Sequence, residues 1–541
     1  MARERVSRLL CSLESIQVEI DLARAAPQAI KTDVAIIGAG AAGLTLARRL
    51  IQANLQVTLI ESGGVDYERQ TADLNIGESV GEPYYALDQA RLRFFGGTTA
   101  IWGGRCAELD RIDFERREWI PHSGWPITWD ELQPWYAEAR KIFDIEGKRA
   151  AIGWLGHFGF KEMTVDQWSF DPRFDRFGYR QNKDLVEHRK MTLLLHATVR
   201  EIVPTKDGRR VAHLDVRSPN QKRVKIEAKT VILAAGGLEN PRILLASNKV
   251  QPQGLGNDND LVGRFFMEHP HARGGRIVNA PAWKLLNSFR QRRDGDFHSA
   301  PLMKLTSEVQ RERELLNGAI TLAARPKPGG AETALKRMYL QARHNIEPTL
   351  SGRNLWKAYR RTGRAVTKLI GPVGPWLNVR RGRTDLAIVI RAEQSPNPDS
   401  RVVLARDTDV IGMPKIKLDW RLQELDVRSA SELIDCLERS FRTVGLGEVQ
   451  KADWLKNSAA QWEVDPLISA HPIGGYHHMG TTRMSSDPKT GVTDAWGRVH
   501  GVENLYVCGS SLFPTCGWAN PTLTIVALAL RTAEKIVNDR S

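Results

Sequence analysis

Several protein classes are disfavoured by what this chain lacks. Its five cysteines, at 11, 106, 436, 508 and 516, are odd in number and form no Cys-x-x-Cys pair or Cys/His cluster, so neither a disulfide scaffold nor a zinc or iron–sulfur site is expected. Reduced thiols fit a cytoplasmic protein. No run approaches the ~20 uninterrupted apolar residues of a membrane span, so no transmembrane segment is expected. The first thirty residues lack the apolar core and small-residue cleavage site of a signal peptide. Repeats and low-complexity tracts are absent. Acidic residues run short in one stretch only: residues 336–383 hold twelve Lys or Arg and one acid, Glu347, and supply +11 of the net +14. An anionic partner, a membrane surface or an acidic substrate would suit such a segment. Its aromatics, Trp356, Tyr359 and Trp376 with Tyr339, are too sparse for base stacking, so it reads as a solvated lid or insertion, with no nucleic acid as partner.

What is present is concentrated first in residues 33–61. The apolar run 34–37 suits a strand buried on both faces, and Gly38-x-Gly40-x-x-Gly43 follows it directly. Gly38 permits the tight turn, Gly40 lets backbone approach a pyrophosphate, and Gly43, next to Ala42, brings a helix close to the strand. The helix N-terminus then offers free N–H groups to phosphate. A second strand, 57–60, ends at Glu61, eighteen residues after Gly43, where a carboxylate accepts hydrogen bonds from ribose. An acid there disfavours a 2′-phosphate, leaving FAD or NAD.

A chain of 541 residues exceeds the size at which single cores stop growing, so two lobes are expected. Residues 1–30 read as a helix with Leu9, Leu10, Leu13 and Ile16 on one face. Residues 130–142 have helical spacing with an acidic first turn. Residues 191–203 and 211–216 read as strands. Residues 231–237 form another buried strand ending in glycines, with a helix beginning at Leu238, so the first sheet resumes after an insertion. Residues 385–393 and 401–404, separated by a turn at 395–400, read as one sheet of a second lobe walling the substrate pocket. The fold class is α/β: a discontinuous Rossmann-like dinucleotide-binding domain (1–75, 190–275 and 470–541) and a second α+β substrate-binding domain on an antiparallel sheet (76–189 and 276–469).

Three further stretches carry candidate chemistry. Residues 94–104 are a glycine-rich loop whose backbone could lie against a planar ligand. Residues 262–271 place His269 and His271 near Glu268, a pairing read as structural, with no metal. Near the C-terminus, His477-His478-Met479-Gly480-Thr481 precedes a buried strand, 504–509, and then Asn520-Pro521-Thr522 at the start of a helix. A neutral imidazole that takes a hydroxyl proton is what alcohol oxidation needs.

Together, Gly38-x-Gly40-x-x-Gly43 with Glu61, Gly96-Gly97-Thr98-Thr99, Gly236-Gly237-Leu238-Glu239-Asn240-Pro241 and His477-x-x-Gly480-Thr481 with Asn520-Pro521-Thr522 resemble the glucose–methanol–choline (GMC) oxidoreductases from about residue 30 to 537. The C-terminal pattern looks most like their bacterial sugar- and pyranose-oxidising branch. The resemblance implies FAD along the nucleotide domain. It puts the flavin near Gly97, Thr98, Thr99, Ile101 and Trp102, the adenine near Val199, and further cofactor contacts at Ala235, Gly509, Ser510, Asn520, Pro521 and Thr522. It assigns His477 as the base for an alcohol, with Asn520 as its partner, and Gln394 as a contact for sugar hydroxyls. Several relatives link a histidine of the Gly-Gly loop covalently to flavin; Ile101 stands there, which implies noncovalent FAD. The expected substrate is a small alcohol, in the first instance a ring hydroxyl of a sugar or glycoside. The electron acceptor (oxygen, quinone or protein) and the oligomeric state stay open. The alternatives are a flavin-containing lyase or decarboxylase of the same fold, a steroid or other secondary-alcohol oxidase, and a flavin-dependent binding protein recruited through the basic segment.

Overall fold

The computed structural model describes residues 19–146, 153–173, 175–295, 297–327, 347–355, 357–358, 371–457, 461–463 and 476–540. The helix expected over residues 1–30 lies largely outside these. Where that stretch is described, Glu19–Asp21 is a strand, a turn follows at 22–24, and the strand Ala29–Ile37 begins. Much of the basic segment 336–383 also falls outside; its described end includes a helix, Val373–Arg380.

The first sheet has the order Glu19–Asp21, Met191–Leu195, Val57–Ile60, Ala29–Ile37, Arg223–Leu233, and those neighbours run parallel. The long strand Arg223–Leu233 changes partner along its length. Its first residues pair antiparallel with Val211–Arg217, which pairs in turn with Thr198–Pro204, while its last three pair parallel with Leu505–Val507. The strand expected over 191–203 is therefore two: His196 takes φ 51° and turns the chain between them. These strands read as near-continuous apolar runs because both faces are covered. The helices Ala41–Gln52, Trp129–Ile142 and Thr522–Asn538 share one apolar core with them. Trp129–Ile142 starts at a capping box, in which the Glu131 carboxylate accepts from Thr128 N (2.6 Å) and Thr128 Oγ1 accepts from Glu131 N (3.2 Å).

The second sheet is antiparallel throughout, in the order Glu448–Lys451, His271–Val278, Thr384–Ala392, Gly318–Pro326, Phe297–Leu305, Met163–Phe170, Arg105–Cys106. Alternation along Thr384–Ala392 sends Leu386, Ile388, Ile390 and Ala392 into a core shared with helix Glu424–Val444. Arg391 therefore projects from the opposite face.

Three expectations need correction. Arg401–Thr408 does not extend the sheet of Thr384–Ala392; it pairs with Pro414–Trp420, which pairs with Gly77–Gly81, in a separate three-stranded sheet. Strand His271–Val278 belongs to the second sheet, so a boundary at 275 would cut a strand. Residues 76–189 divide between the two cores: Leu132, Tyr136 and Ala139 pack with the nucleotide sheet and Met163 with the other, because an amphipathic helix docks wherever its apolar stripe is covered.

Candidate active site

Successive parallel strands deliver the residues that follow them to one cavity of about 840 Å³: Gly38 to Gly40 after Ile37, Glu61 after Ile60, Ala234 to Gly237 after Leu233, and Cys508 to Ser510 after Val507. The carboxyl ends of a parallel sheet are where open α/β folds bind ligands, and the volume lies in the range of small-molecule sites.

Two glycines of the motif are demanded by packing. A Cβ on Gly43 would stand 1.9 Å from Gly38 O, and Gly38, at φ +105°, would place one 2.7 Å from Ala234 O. Others face open space: a Cβ on Gly40, Gly236 or Gly509 would meet nothing within 4 Å. Bare backbone thus lies against the cavity, and helix Ala41–Gln52 begins at Gly40 with no side chain capping its amides. The Glu61 carboxylate accepts from Ala39 N (3.0 Å) and Gly63 N (2.9 Å). Burial raises its carboxyl, while those bonds and Arg93 oppose the rise. Trp102 lines the cavity with its indole N–H buried and unpaired among the described residues. Phosphate-seeking amides, a ribose-seeking acid and an unused donor are a set that fits FAD.

All but two of the cofactor residues expected from the sequence line this cavity. Gly43 lies behind it as a spacer. Ile101 is a correction: its side chain packs with Phe94 and Ala100 in a small apolar cluster off the cavity. Gln394 is another. Expected to touch substrate, it is fully buried away from the lining; its Oε1 accepts from Glu268 N (2.9 Å) and Trp420 Nε1 (3.0 Å), and its Nε2 donates to Arg421 O (3.0 Å). An amide engaged on both ends holds the wall together.

The histidine loop is held from three sides. Met479 exchanges two backbone hydrogen bonds with Met267 (3.0 Å each), Thr481 Oγ1 donates to Gly237 O (2.6 Å), and Ser510 Oγ donates to His478 O (2.7 Å). His477 N donates to the Glu268 carboxylate at 2.8 and 3.0 Å. In the His477 ring, Nδ1 lies 2.8 Å from His269 Nδ1, and Asn520 Nδ2 donates to Nε2 at 3.2 Å.

The tautomers follow from chemistry. Cys516 O, 3.2 Å from His269 Nε2, only accepts, so His269 carries its proton on Nε2. Burial holds His269 down to about 4 and His477 well below the ordinary imidazole range, with the charges of His269, His271 and Arg391 adding to the effect at His477. Neutral His269 therefore accepts at Nδ1, His477 donates from its own Nδ1, and the lone pair of His477 is left on Nε2 in the cavity beside Asn520. His478 differs. Its Nε2 donates to the Tyr84 hydroxyl (2.9 Å), which donates to Glu268 Oε2 (2.8 Å), so that nitrogen is spent on the wall. Burial lowers His478 to about 3 and raises Glu268 to about 7.

Sequence reasoning missed Tyr84, Glu268 and His269 as parts of this centre. His269 was read as a structural histidine; it is satisfied, but one of its bonds goes to His477. No group of metal-ligating side chains occurs among the described residues, and no described helix is long and apolar enough to cross a membrane.

Comparison with known proteins agrees with this geometry. Residues 33–253 match the family described as FAD dependent oxidoreductase, and residues 396–529 match that described as GMC oxidoreductase. The 2-methyl-1,2-propanediol dehydrogenase of Mycolicibacterium austroafricanum is 25% identical, over 94% of this chain and 95% of its own. The fructose dehydrogenase large subunit of Gluconobacter japonicus is 23% identical, over 95% of this chain and 99% of its own. The crystal structure of formate oxidase shares the fold, with a TM-score of 0.53 at 16% identity, covering 95% of this chain and 99% of that one. Both matches lie along one chain with the dinucleotide cavity at its strand ends, and they describe an FAD-dependent oxidoreductase whose C-terminal part is similar to the GMC oxidoreductases.

Proposed function

We propose that the enzyme oxidises a secondary or hemiacetal alcohol, a ring hydroxyl of a sugar or glycoside being the leading candidate, with His477 as general base. The observation that carries this reading is His477 Nε2 in the cavity, 3.2 Å from the Asn520 amide, with the other ring nitrogen engaged by His269. Bound FAD supplies the hydride acceptor. His477 Nε2 takes the hydroxyl proton, and Asn520 Nδ2 turns from His477 to donate to the same oxygen. Because His269 takes up the Nδ1 proton of His477 as a hydrogen bond, the imidazole keeps one orientation and one basic nitrogen. Half-buried and neutral, it is ready to accept at neutral pH. A base positioned in this way is typically worth ~10²- to 10⁴-fold. One named relative acts on a sugar, which supports the substrate class.

We further propose that FAD is held noncovalently. The loop position at which relatives carry the linking histidine is Ile101, which packs off the cavity. Acid precipitation should then leave the yellow flavin in the supernatant; colour retained in the pellet would contradict this.

The deciding experiment is an anaerobic absorbance titration of the flavoprotein with monosaccharides, glycosides and simple alcohols, followed by admission of air. Bleaching by an alcohol is the expected result, and recovery in air separates oxidase from dehydrogenase. A flavin that no alcohol bleaches would sink the reading and favour a lyase.

A further inference from the structure

The base and the histidine that fixes its tautomer hang from one carboxylate. Glu268 Oε1 accepts from His477 N (2.8 Å) and from His269 N (3.0 Å), while Oε2 accepts from His477 N (3.0 Å) and from the Tyr84 hydroxyl (2.8 Å). The amide of Glu268 is itself anchored on Gln394 Oε1 (2.9 Å). Three stretches far apart in sequence thus meet at two oxygen atoms of a side chain in the cavity wall.

In each of these bonds Glu268 is the acceptor, the pattern of an ionised carboxylate. A proton on Oε1 would point at two N–H groups. On Oε2 it would fit only if the Tyr84 hydroxyl turned round, and that oxygen would then hold His477 N less well. Hydrogen bonds to an ionised acceptor are also roughly twice as strong as those to a neutral one. Burial works the other way and raises the carboxyl to about 7, so both forms are populated near neutral pH. The groups around it keep one form through that window. Tyr84, Tyr476 and the Cys516 thiol, which reaches the Glu268 carbonyl (4.0 Å), are all pushed up by desolvation. Desolvation also holds His269 to about 4, His478 to about 3 and His477 well below the imidazole range. The charge of Arg91 acts on His478 and that of Arg391 on His269 and His477, and a guanidinium keeps its proton.

We propose that Glu268 is a positioning residue for His477: as a carboxylate it keeps the base and His269 in register, and the proton transfer to His477 Nε2 runs from that form. This rests on the alcohol-oxidation reading and adds to it the group that sets its pH dependence. With Glu268 protonated the base is more loosely held, and a misplacement of about 1 Å can slow an enzymatic step ~10²-fold. Flavin reduction should therefore slow on the acid side of about 7. A limb at that pH belongs to the acid behind the base, because the three histidines titrate lower. Asp426 and Asp113, raised to about 7 and about 8, lie off the cavity lining.

The test uses FAD-loaded wild type, Glu268→Gln and Glu268→Asp, with a reducing alcohol that carries no titratable group. The limiting rate of anaerobic flavin reduction is followed by stopped flow across the window around pH 7, with flavin content and melting temperature checking each fold. The wild-type rate should rise ~10- to 100-fold with pH through that window. Glu268→Gln should be slowed by a similar factor and level across it, with little change in the alcohol concentration at half-saturation. Glu268→Asp, which keeps the charge, should keep a rising limb and part of the rate. A carboxylate with a structural role alone would alter melting temperature and flavin content and leave the profile unmoved. A wild-type rate that is level across the window would overturn the proposal whatever the variants do, as would a rising limb that persists in folded Glu268→Gln. Should Glu268→Gln not fold, a limb in Glu268→Asp displaced in pH from that of the wild type supports the assignment, and an unchanged one overturns it. A readout without substrate separates this inference from the reaction class. In holoenzyme carrying ¹⁵N-histidine, the ring resonances of His477, identified by their loss in His477→Ala, should shift across the same window in the wild type and stay fixed in Glu268→Gln. That shift without bleaching by any alcohol would defeat the oxidation reading alone. Bleaching with a level pH profile would defeat only this inference.

Discussion

At the dinucleotide end of the cavity the wall is mostly backbone: Gly38, Gly40, Ala235, Gly236 and Gly509, each within a few residues of a strand end. At the reaction end the wall is side chain: Tyr84, Glu268, His269, Arg391, His477 and Asn520, drawn from distant parts of the chain. The first end recognises its ligand with groups every residue possesses, so its specificity lies in what is missing, the Cβ atoms that would intrude. The second depends on protonation states, and burial sets those. The same desolvation that lowers the histidines raises Glu268.

Substitutions separate the two ends. The largest effect is expected for His477→Ala, which should slow flavin reduction by ~10²- to 10⁴-fold in stopped-flow measurements while FAD stays bound. His478→Ala should cost far less, because the Nε2 of His478 is already committed to Tyr84; a larger loss there would exchange their roles. Glu268→Gln should act on stability. With its carboxyl raised from 4.5 to about 7, folded Glu268 keeps a proton that the unfolded chain releases, so its contribution falls as pH rises through that window. Urea unfolding at both limits should show the wild type losing about 3 kcal/mol more than the variant. Gly43→Ala tests the backbone end. Its Cβ would meet Gly38 O at 1.9 Å, so a loss of ~1–3 kcal/mol is expected, with depleted flavin content. The smallest effect is expected for His269→Leu, which frees the His477 tautomer. Reduction should slow up to about tenfold and its pH profile should shift, with His269→Gln, which retains an acceptor, recovering part of the rate.

Legibility in the sequence follows the same division. Glycine spacing, the apolar run before it and Glu61 lie within one strand–helix–strand unit, and local periodicity reports such units directly. The roles of His477 and Asn520 are legible through the family resemblance, carried by His477-x-x-Gly480-Thr481 and Asn520-Pro521-Thr522. The partners of His477 did not. His269 lies in a segment that meets the histidine loop by long-range contacts such as the Met267–Met479 bridge, and Tyr84 follows a short strand of the third sheet. Nothing in a linear pattern reports such a meeting. Gln394 was misread for the complementary reason: a polar residue after a strand looks available until its hydrogen bonds are traced. Strand membership failed where pairing alone decides it, as with Arg401–Thr408.

The pairing of Leu505–Val507 with the end of Arg223–Leu233 bears on how the enzyme comes into being. Val231 and its partner Leu505 are separated by half the chain, and most strands of the second sheet lie between them in sequence. Contacts of such separation form late, after the loop-closure entropy of everything between has been met. His477 and Asn520 flank that strand in sequence, so the reactive pair is assembled with it. During synthesis, the glycine-lined cleft can therefore fold before the groups that make it reactive arrive. Flavin bound across both would favour the closed arrangement by mass action, which makes the supply of FAD a determinant of how much of the chain is held as complete enzyme.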